Sequence, residues 1–401
     1  MRRFLVFLLF SCCLFWDVRS QLPIRPDAFP PAVDTVSHKG LLMADSVDQM
    51  SDWTHYPTYD TYVSMMRLFA ENFPSICRLD TIGLSVQNRL ILAVKISDNV
   101  DLDEPDEPEF FYSSTMHGDE LAGFHFMLHL IDTLLNSYGS ASDLTDLVNS
   151  TEIFINPLSN PDGTYYGGNH TVASSRRNNA NNIDLNRNFP DPFLPPSKAP
   201  LQAENIAMID YVSNHHFLLS ANLHGGSEVM NYPWDSFTSW NRPHPEADWW
   251  QEVSARFVDT CRLVNPNLFT GVSNIGYIAG GDWYVIHYGR QDYMNYYHNM
   301  LEMTMELSMS KKLSSDKLHD YWASQYQSLI NYIKEIHNLP PVVGIDTPVS
   351  DNAHPVAFPN PTRDMVNVAT KSGLKTFDLS GYPAGVYFLP VEGVVYKVVK
   401  L

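Results

Sequence analysis

Two apolar runs each lead into a histidine. Phe110-Phe-Tyr-Ser-Ser-Thr-Met116 precedes His117, and Phe217-Leu-Leu-Ser-Ala-Asn-Leu223 precedes His224. Short apolar runs of this kind read as buried strands. If the two strands are parallel neighbours, both histidines reach the same edge of one sheet. Open α/β sheets place their sites at such strand ends. Glu120 stands three residues after His117, where a helix is predicted to begin. Two histidines and a carboxylate suit a metal, because zinc hydrolases use three protein ligands and leave a fourth position open. A lone His-x-x-Glu reads most simply as a surface or core pair; three such donors brought to strand ends do not.

The rest of the chain alternates in the same way. Residues 59–72 carry an amphipathic helical pattern. Residues 77–82 and 90–97 look like an antiparallel strand pair, joined by a charged loop at 101–108 to the His117 strand. A long helix is predicted over 121–136 and a strand over 152–157, which leads to the turn Asn160-Pro-Asp-Gly163. Helices follow near 203–214, 245–263 and 317–337, and 300–307 alternates like a strand. This order predicts an α/β fold: a mixed, largely parallel sheet sandwiched by helices. The chain has 401 residues, enough for one large domain and a small appendage.

Four segments then add up: His117-Gly-Asp-Glu120; Arg177 with Asp184-Leu-Asn186-Arg187-Asn188-Phe-Pro; Asn222-Leu-His224-Gly-Gly; and Met303-Thr-Met-Glu306-Leu. In this order they resemble the zinc metallocarboxypeptidases, most closely the branch containing carboxypeptidases N, E, M and D. The resemblance runs from about Tyr56 to about Asn338, and the Asn160 turn shares it. It implies one Zn2+ per chain on His117, Glu120 and His224. Asp184 would accept the other ring N–H of His117. Glu302 and Glu306 are both base candidates by residue type; the Thr-x-Glu-Leu context of the family selects Glu306, leaving Glu302 as a solvent-facing residue or the start of the strand. Asn186 and Arg187 would grip a substrate's terminal carboxylate. Arg177, rather than its neighbour Arg176, would polarise the scissile carbonyl. Tyr284 matches the mobile tyrosine that covers bound substrate.

Asp235, in Asn231-Tyr-Pro-Trp-Asp235, matches the acid at the bottom of the side-chain pocket, and Gln291 stands with it among the substrate-binding residues. An acid in a desolvated pocket selects a cation, which implies C-terminal Lys or Arg. Two positions depart from the family pattern. Tyr288 stands where glycine is normal, which bears on the shape of that loop. Arg290 replaces a usually apolar residue and is expected to neutralise part of the pocket's charge. Three functions compete: an exported zinc exopeptidase, a same-fold amidase acting on another amide such as cell-wall peptides, and a non-catalytic surface protein. The carboxylate clamp argues against the second, and the complete set of ligands and base against the third.

The net charge is −19, which disfavours nucleic acid and anionic membrane surfaces as partners. Arg2 and Arg3 followed by apolar 4–16 read as a signal peptide cleaved after Ser20, with a lipidated Cys12 as the rival reading. No later run is apolar enough to span a bilayer. Residues 21–53 read as a lead-in or pro-segment, 54–338 as the catalytic domain and 339–355 as a linker. The tail, 356–401, is β-rich and resembles a C-terminal sorting domain of the type IX secretion system, through Phe358-Pro-Asn-Pro-Thr362, Gly381-Tyr-Pro-Ala-Gly-Val-Tyr-Phe388 and Lys397-Val-Val-Lys-Leu401. That implies export to the medium or cell surface and possible contact with the secretion machinery. Beyond the signal only Cys77 and Cys261 remain, as a disulfide or as two buried thiols.

Overall fold

The computed structural model describes residues 40–102, 104–340, 357–358, 365–370, 373–381, 385–391 and 394–400. The expected signal peptide, much of the lead-in and most of the linker lie outside the described residues. The chain opens with β1 (Met43–Ala44), a 3-10 turn and β2 (Tyr56–Pro57), then α1 (Tyr59–Asn72), β3 (Cys77–Leu84), β4 (Leu90–Ile96) and β5 (Glu109–Ser114). Next come α2 (Ala122–Ser137), α3 (Ser142–Val148), β6 (Glu152–Asn156), α4 (Pro161–Thr164), α5 (Ala203–Ser213), β7 (Phe217–His224) and β8 (Ser227–Tyr232). The domain closes with α6 (Ala247–Val264), β9 (Tyr277–Ala279), α7 (Gly280–Trp283), α8 (Arg290–His298), β10 (Leu301–Ser308) and α9 (Ser315–Lys334).

Eight strands form one sheet in the order β3-β4-β6-β5-β7-β10-β8-β9. The central strands β6, β5, β7 and β10 are parallel, and β3, β4 and β8 introduce antiparallel pairs. The pleat separates two cores. Phe110 and Tyr112 of β5, Ile153 and Ile155 of β6, and Leu219, Ala221 and Leu223 of β7 face one side, packed with residues of α1, α2, α6 and α9. Phe111 and Phe154 face the other, with Met208 and Val212 of α5 and Met294 of α8. A two-residue side-chain period forces this alternation. By the same parity Ser220, Asn222 and His224 point to the α5 and α8 side, where the helical cover is thinner.

Local signals explain the helix ends. Thr58 Oγ1 accepts the Thr61 N–H (3.3 Å) at the start of α1, and Pro74 cannot continue it. Tyr62, Met65, Met66 and Phe69 bury its inner stripe; each such side chain contributes about 1.5–3 kcal/mol of burial. Residues 40–53, which show no period in the sequence, are built into the same core: Leu41, Met43, Val47, Met50 and Trp53 are buried there. Cys77 and Cys261 are free and buried. No helix is long and apolar enough to cross a membrane among the described residues. The tail forms β11 (Ala357–Phe358), β12 (Met365–Thr370), β13 (Gly373–Asp378), β14 (Gly385–Val391) and β15 (Val394–Lys400), in two small antiparallel sheets.

Candidate active site

β5 and β7 pair in parallel with Ser114 opposite Leu223, so the chain leaves both strands at one edge. β10 pairs with β7 on its other side and sets Glu306 opposite His224. After β5 the backbone turns sharply: Thr115 adopts φ +59°, a conformation rare for a β-branched residue. Its N–H reaches Leu223 O (3.3 Å) and its Oγ1 donates to Glu120 O (3.1 Å). The Asn160 turn braces this loop, with Nδ2 donating to Met116 O (3.0 Å) and Arg177 O (3.2 Å). Gly118 passes so close to Gly163 that a Cβ there would lie 2.4 Å from the Gly163 carbonyl carbon.

The result is a buried cluster of three donors. His117 Nδ1 lies 2.9 Å from Glu120 Oε2. His224 Nδ1 lies 2.9 Å from His117 Nδ1 and 2.8 Å from Glu120 Oε2. The outer nitrogens have fixed neighbours. Asp184 Oδ1 is 3.1 Å from His117 Nε2, which puts that ring's hydrogen on Nε2 and its lone pair on Nδ1, toward the cluster. Asn222 Nδ2 is 2.7 Å from His224 Nε2 and 3.2 Å from Met116 Sδ. Two ring nitrogens and a carboxylate oxygen, each able to present a lone pair, converge on one point. Tetrahedral zinc with bonds of about 2.0–2.1 Å holds its ligand atoms about 3.3 Å apart, so the donor set fits the metal.

The electrostatics agree. Burial pushes the His224 pKa down to about 4, helped by His117. Burial opposes charge on His117 too, but Glu120 and Asp184 raise its pKa above the ordinary value. Burial also disfavours charge on Glu120, yet the two histidines hold it well below the usual carboxylate range. Lys311 Nζ donates to the other Glu120 oxygen (2.8 Å).

Around the cluster stand the remaining expected residues. Glu306 is buried, and its Oε2 has no hydrogen-bond partner among the described residues. Burial, and after it the charge of Glu120, push its pKa well above the ordinary value. Arg177 is held by Asp184 Oδ2 (Nε 2.9 Å) and points Nη1 at His117 Nδ1 (3.2 Å) and Glu120 Oε1 (3.5 Å). Arg176 turns away, stacked on Tyr166 and bonded to Asn179 O. Asp184 caps the 3-10 turn that carries the clamp, with Oδ1 accepting from Asn186 N (2.9 Å). Arg187 Nη1 bonds Asn186 O (2.8 Å), and no carboxylate among the described residues forms an ion pair with it within 4.0 Å. Tyr284 is 48% exposed at the rim. Asp235 is buried and receives Gln291 Nε2 on Oδ1 (3.0 Å). A Cβ on Gly280 would lie 1.9 Å from that oxygen, so only glycine leaves room for the acid. Burial, then Asp292, push Asp235 well above the usual range.

Two expectations need correction. Glu302 is not solvent-facing but fully buried. It lies two β-periods from Glu306 on the face that meets α8, and forks onto Arg290 (Nε–Oε1 3.0 Å, Nη2–Oε2 2.9 Å). Arg290 therefore does not neutralise the pocket acid; its charge is already balanced by Glu302, with Ser113 Oγ as a further acceptor. Sequence reasoning also gave no role to Asn222, which it quoted only as part of the His224 segment, or to Asp191, Asp292 and Lys311. Asn222 had a signal, since it lies two residues before His224 on one strand face. Asp292, which accepts the N–H groups of Asp235 (2.8 Å) and Ser236 (2.9 Å), had none that a single sequence displays.

The profile of the zinc carboxypeptidase family, Peptidase_M14, matches residues 62–328. The chain belongs to that family. Human carboxypeptidase D is 37% identical over 341 residues, covering 80% of this chain and 24% of that protein. Mouse carboxypeptidase M is 36% identical over 295 residues, covering 68% and 64%. The catalytic chain of mouse carboxypeptidase N is 30% identical over 350 residues, covering 79% and 74%. The chain spans 21–24% of the length of the carboxypeptidase D relatives it matches. Among solved structures, thrombin-activatable fibrinolysis inhibitor superposes with a TM-score of 0.63 at 16% identity, covering 72% of this chain and 76% of that one. Carboxypeptidase A from Helicoverpa armigera gives 0.58 at 19%, covering 71% and 74%. These two establish the likeness of fold. The family's metal is zinc, and His117, Glu120 and His224 form a buried group that could hold it.

Proposed function

We propose that this chain is a zinc-dependent exopeptidase that hydrolyses the last bond of a peptide or protein and prefers a C-terminal Arg or Lys. One observation carries the reading. Asp184 joins the donor cluster to the clamp: its Oδ1 accepts from both His117 Nε2 and Asn186 N, and the next residue, Arg187, is a cation without a carboxylate partner among the described residues. A free carboxylate held by Arg187 and Asn186 brings the last peptide bond to the cluster.

In this reading His117, Glu120 and His224 hold the metal. Zinc there supplies Lewis acidity and lowers the pKa of water toward about 7. Arg177 stabilises the oxyanion as the carbonyl becomes tetrahedral. Glu306 takes a proton from the attacking water and passes it to the leaving amine; its Oε2 has no hydrogen-bond partner among the described residues and is free to accept. Asn186 Oδ1 is occupied by Arg290 N (2.9 Å), which leaves Nδ2 to donate to substrate. Asp235, fixed by Gln291 and Asp292, pairs with a cationic side chain. Tyr284 covers the bound residue. The basic, apolar start of the chain and its β-rich tail support export by the same reading, the tail as a sorting signal.

The test is a pair of peptides differing only at the C-terminus, one a free acid and one an amide. The acid is cleaved and the amide is not, because Arg187 loses its anionic partner. Equal cleavage of both would replace the exopeptidase reading with that of a same-fold amidase.

A further inference from the structure

Three loops surround the pocket, and one buried carboxylate ties them together. Asp191 Oδ1 accepts the N–H groups of Phe193 (2.8 Å) and Leu194 (3.0 Å), which shapes the loop after Arg187. Its Oδ2 accepts Tyr288 N (2.8 Å) and meets His287 Nδ1 (3.2 Å). Phe193, positioned by that turn, packs its ring against Trp234 (6.0 Å) and Phe237 (4.7 Å), which flank Asp235. Asp191 therefore links the clamp loop, the Tyr284 loop and the Asp235 loop.

Tyr288 makes the other half of this joint. It adopts φ +61°, the left-handed region that costs a side-chain-bearing residue. The surroundings hold it there from three directions: Asp191 takes its N–H, its carbonyl accepts Phe189 N (3.0 Å), and its hydroxyl donates to Pro195 O (2.9 Å). A strained residue bonded through N–H, carbonyl and side chain is one whose position the structure over-determines. Just before it the chain comes to the surface: Tyr284 and Val285 are 48% and 50% exposed, with the Tyr284 N–H bonded to Gly280 O (3.0 Å). The segment thus has a braced root at 287–289 and an exposed tip at 284–285.

We propose that Tyr288 is a positioning residue for substrate binding: bolted to Asp191 and Pro195, it anchors the root of the loop that carries Tyr284 and sets where that tyrosine closes over the substrate. This rests on the exopeptidase reading for the role of Tyr284. A rigid root limits the closing motion to the tip, so that less conformational freedom is lost when substrate binds.

The experiment compares the full chain with Tyr288→Phe, which keeps the backbone conformation and ring packing and deletes one hydrogen bond. A peptide ending in free Arg is the substrate. KM rises about two- to ten-fold, as loss of one hydrogen bond allows, while kcat stays within about two-fold and the melting temperature is unchanged. Hydrogen exchange quickens at the amides of 286–289. Asp191→Asn, which sets an amide group against backbone donors, gives the same pattern more strongly if it folds. Unchanged KM and exchange in Tyr288→Phe would overturn the proposal. So would a fall in kcat and melting temperature at constant KM, which marks a merely structural role. If the wild type releases no C-terminal residue, the exopeptidase reading fails, and the exchange comparison still decides whether Tyr288 anchors the loop.

Discussion

Replacing Glu302 by Gln should be one of the most destabilising changes available at the site, although Glu302 lies outside the proposed chemistry. Arg290 and Glu302 are 1% and 0% exposed. Gln keeps the size but removes the anion, and a guanidinium cannot shed its proton to escape burial. Breaking such a buried pair from one side costs about 3–5 kcal/mol. Unfolding entropy near 2.1 cal/mol/K per residue gives a domain of about 300 residues a shift of roughly 1.6 °C per kcal/mol, so the melting temperature falls by about 5–8 °C. The reverse change, Arg290→Met, costs less, roughly 1–3 kcal/mol, because Glu302 can take up a proton. Burial already raises its pKa even with Arg290 beside it. The double variant lies closer to wild type than Glu302→Gln alone. Urea unfolding of the four proteins yields the cycle. A coupling energy near zero, or an Arg290→Met variant weaker than Glu302→Gln, would refute the reasoning. The same proteins test the pocket. If Arg290 is balanced by Glu302, then Arg290→Met leaves the preference for C-terminal Arg over Leu within about three-fold of wild type.

Glu306→Gln keeps metal binding but lowers kcat by about 10² to 10⁴-fold, since the amide cannot accept the proton; metal analysis beside single-turnover kinetics checks both halves, and full activity with full metal removes Glu306 from the reaction. Asp235→Ala lowers kcat/KM on C-terminal Arg by the equivalent of about 2–3 kcal/mol while leaving C-terminal Leu unchanged or improved; an equal loss on both makes Asp235 a structural residue. His129→Phe flattens the acid side of the stability curve. His129 is stacked between Trp53 (4.2 Å) and Trp322 (4.1 Å), and burial lowers its pKa to about 2. Its folded pKa lies below the unfolded value near 6.5, so its contribution is present above that pH and lost as pH falls. His125 acts in the same sense at about 4, and Asp132, raised to about 7, in the opposite sense. Removing His129 should therefore take about 1.4 kcal/mol per pH unit off the slope between pH 6.5 and 4; urea midpoints at pH 7 and 5 measure it, and parallel slopes would refute it.

How much of this was legible in the chain depends on the range of the physics involved. The strands of the sheet centre were readable because burial on both faces leaves an unbroken apolar run, and α1, with Thr58 before it and Pro74 after it, could be bounded closely. The positions of His117 and His224 followed from strand ends alone. β8 escaped: in Ser227-Glu-Val-Met-Asn-Tyr232 the polar residues interrupt the apolar ones, and its place beside β10 is set by pairing 70 and more residues away. α8 escaped because its inward face is polar, with Arg290, Gln291, Asp292 and Asn295 all buried. A helix that buries charge has no amphipathic stripe to read.

That last failure and the site have one cause. The face of the sheet turned toward α5 and α8 carries Ser220, Asn222, His224, Glu302, Thr304 and Glu306 on adjacent strands, so the helix that covers it must answer polar groups with polar groups. Arg290 meets Glu302, Gln291 meets Asp235, Asp292 meets the backbone of 235 and 236, and Asn295 donates to Gln291 O and Glu302 O. Each bond satisfies a group that would otherwise be buried without a partner. Among the described residues Arg187 has no carboxylate ion pair, and Glu306 Oε2 is buried without a hydrogen-bond partner, as are Asn222 Oδ1, Gln291 Oε1 and Asn295 Oδ1. His117, Glu120 and His224 lie close by as a group that could hold a metal ion. On the proposed reading a peptide's terminal carboxylate pairs with Arg187, and the proton of the attacking water goes to Glu306.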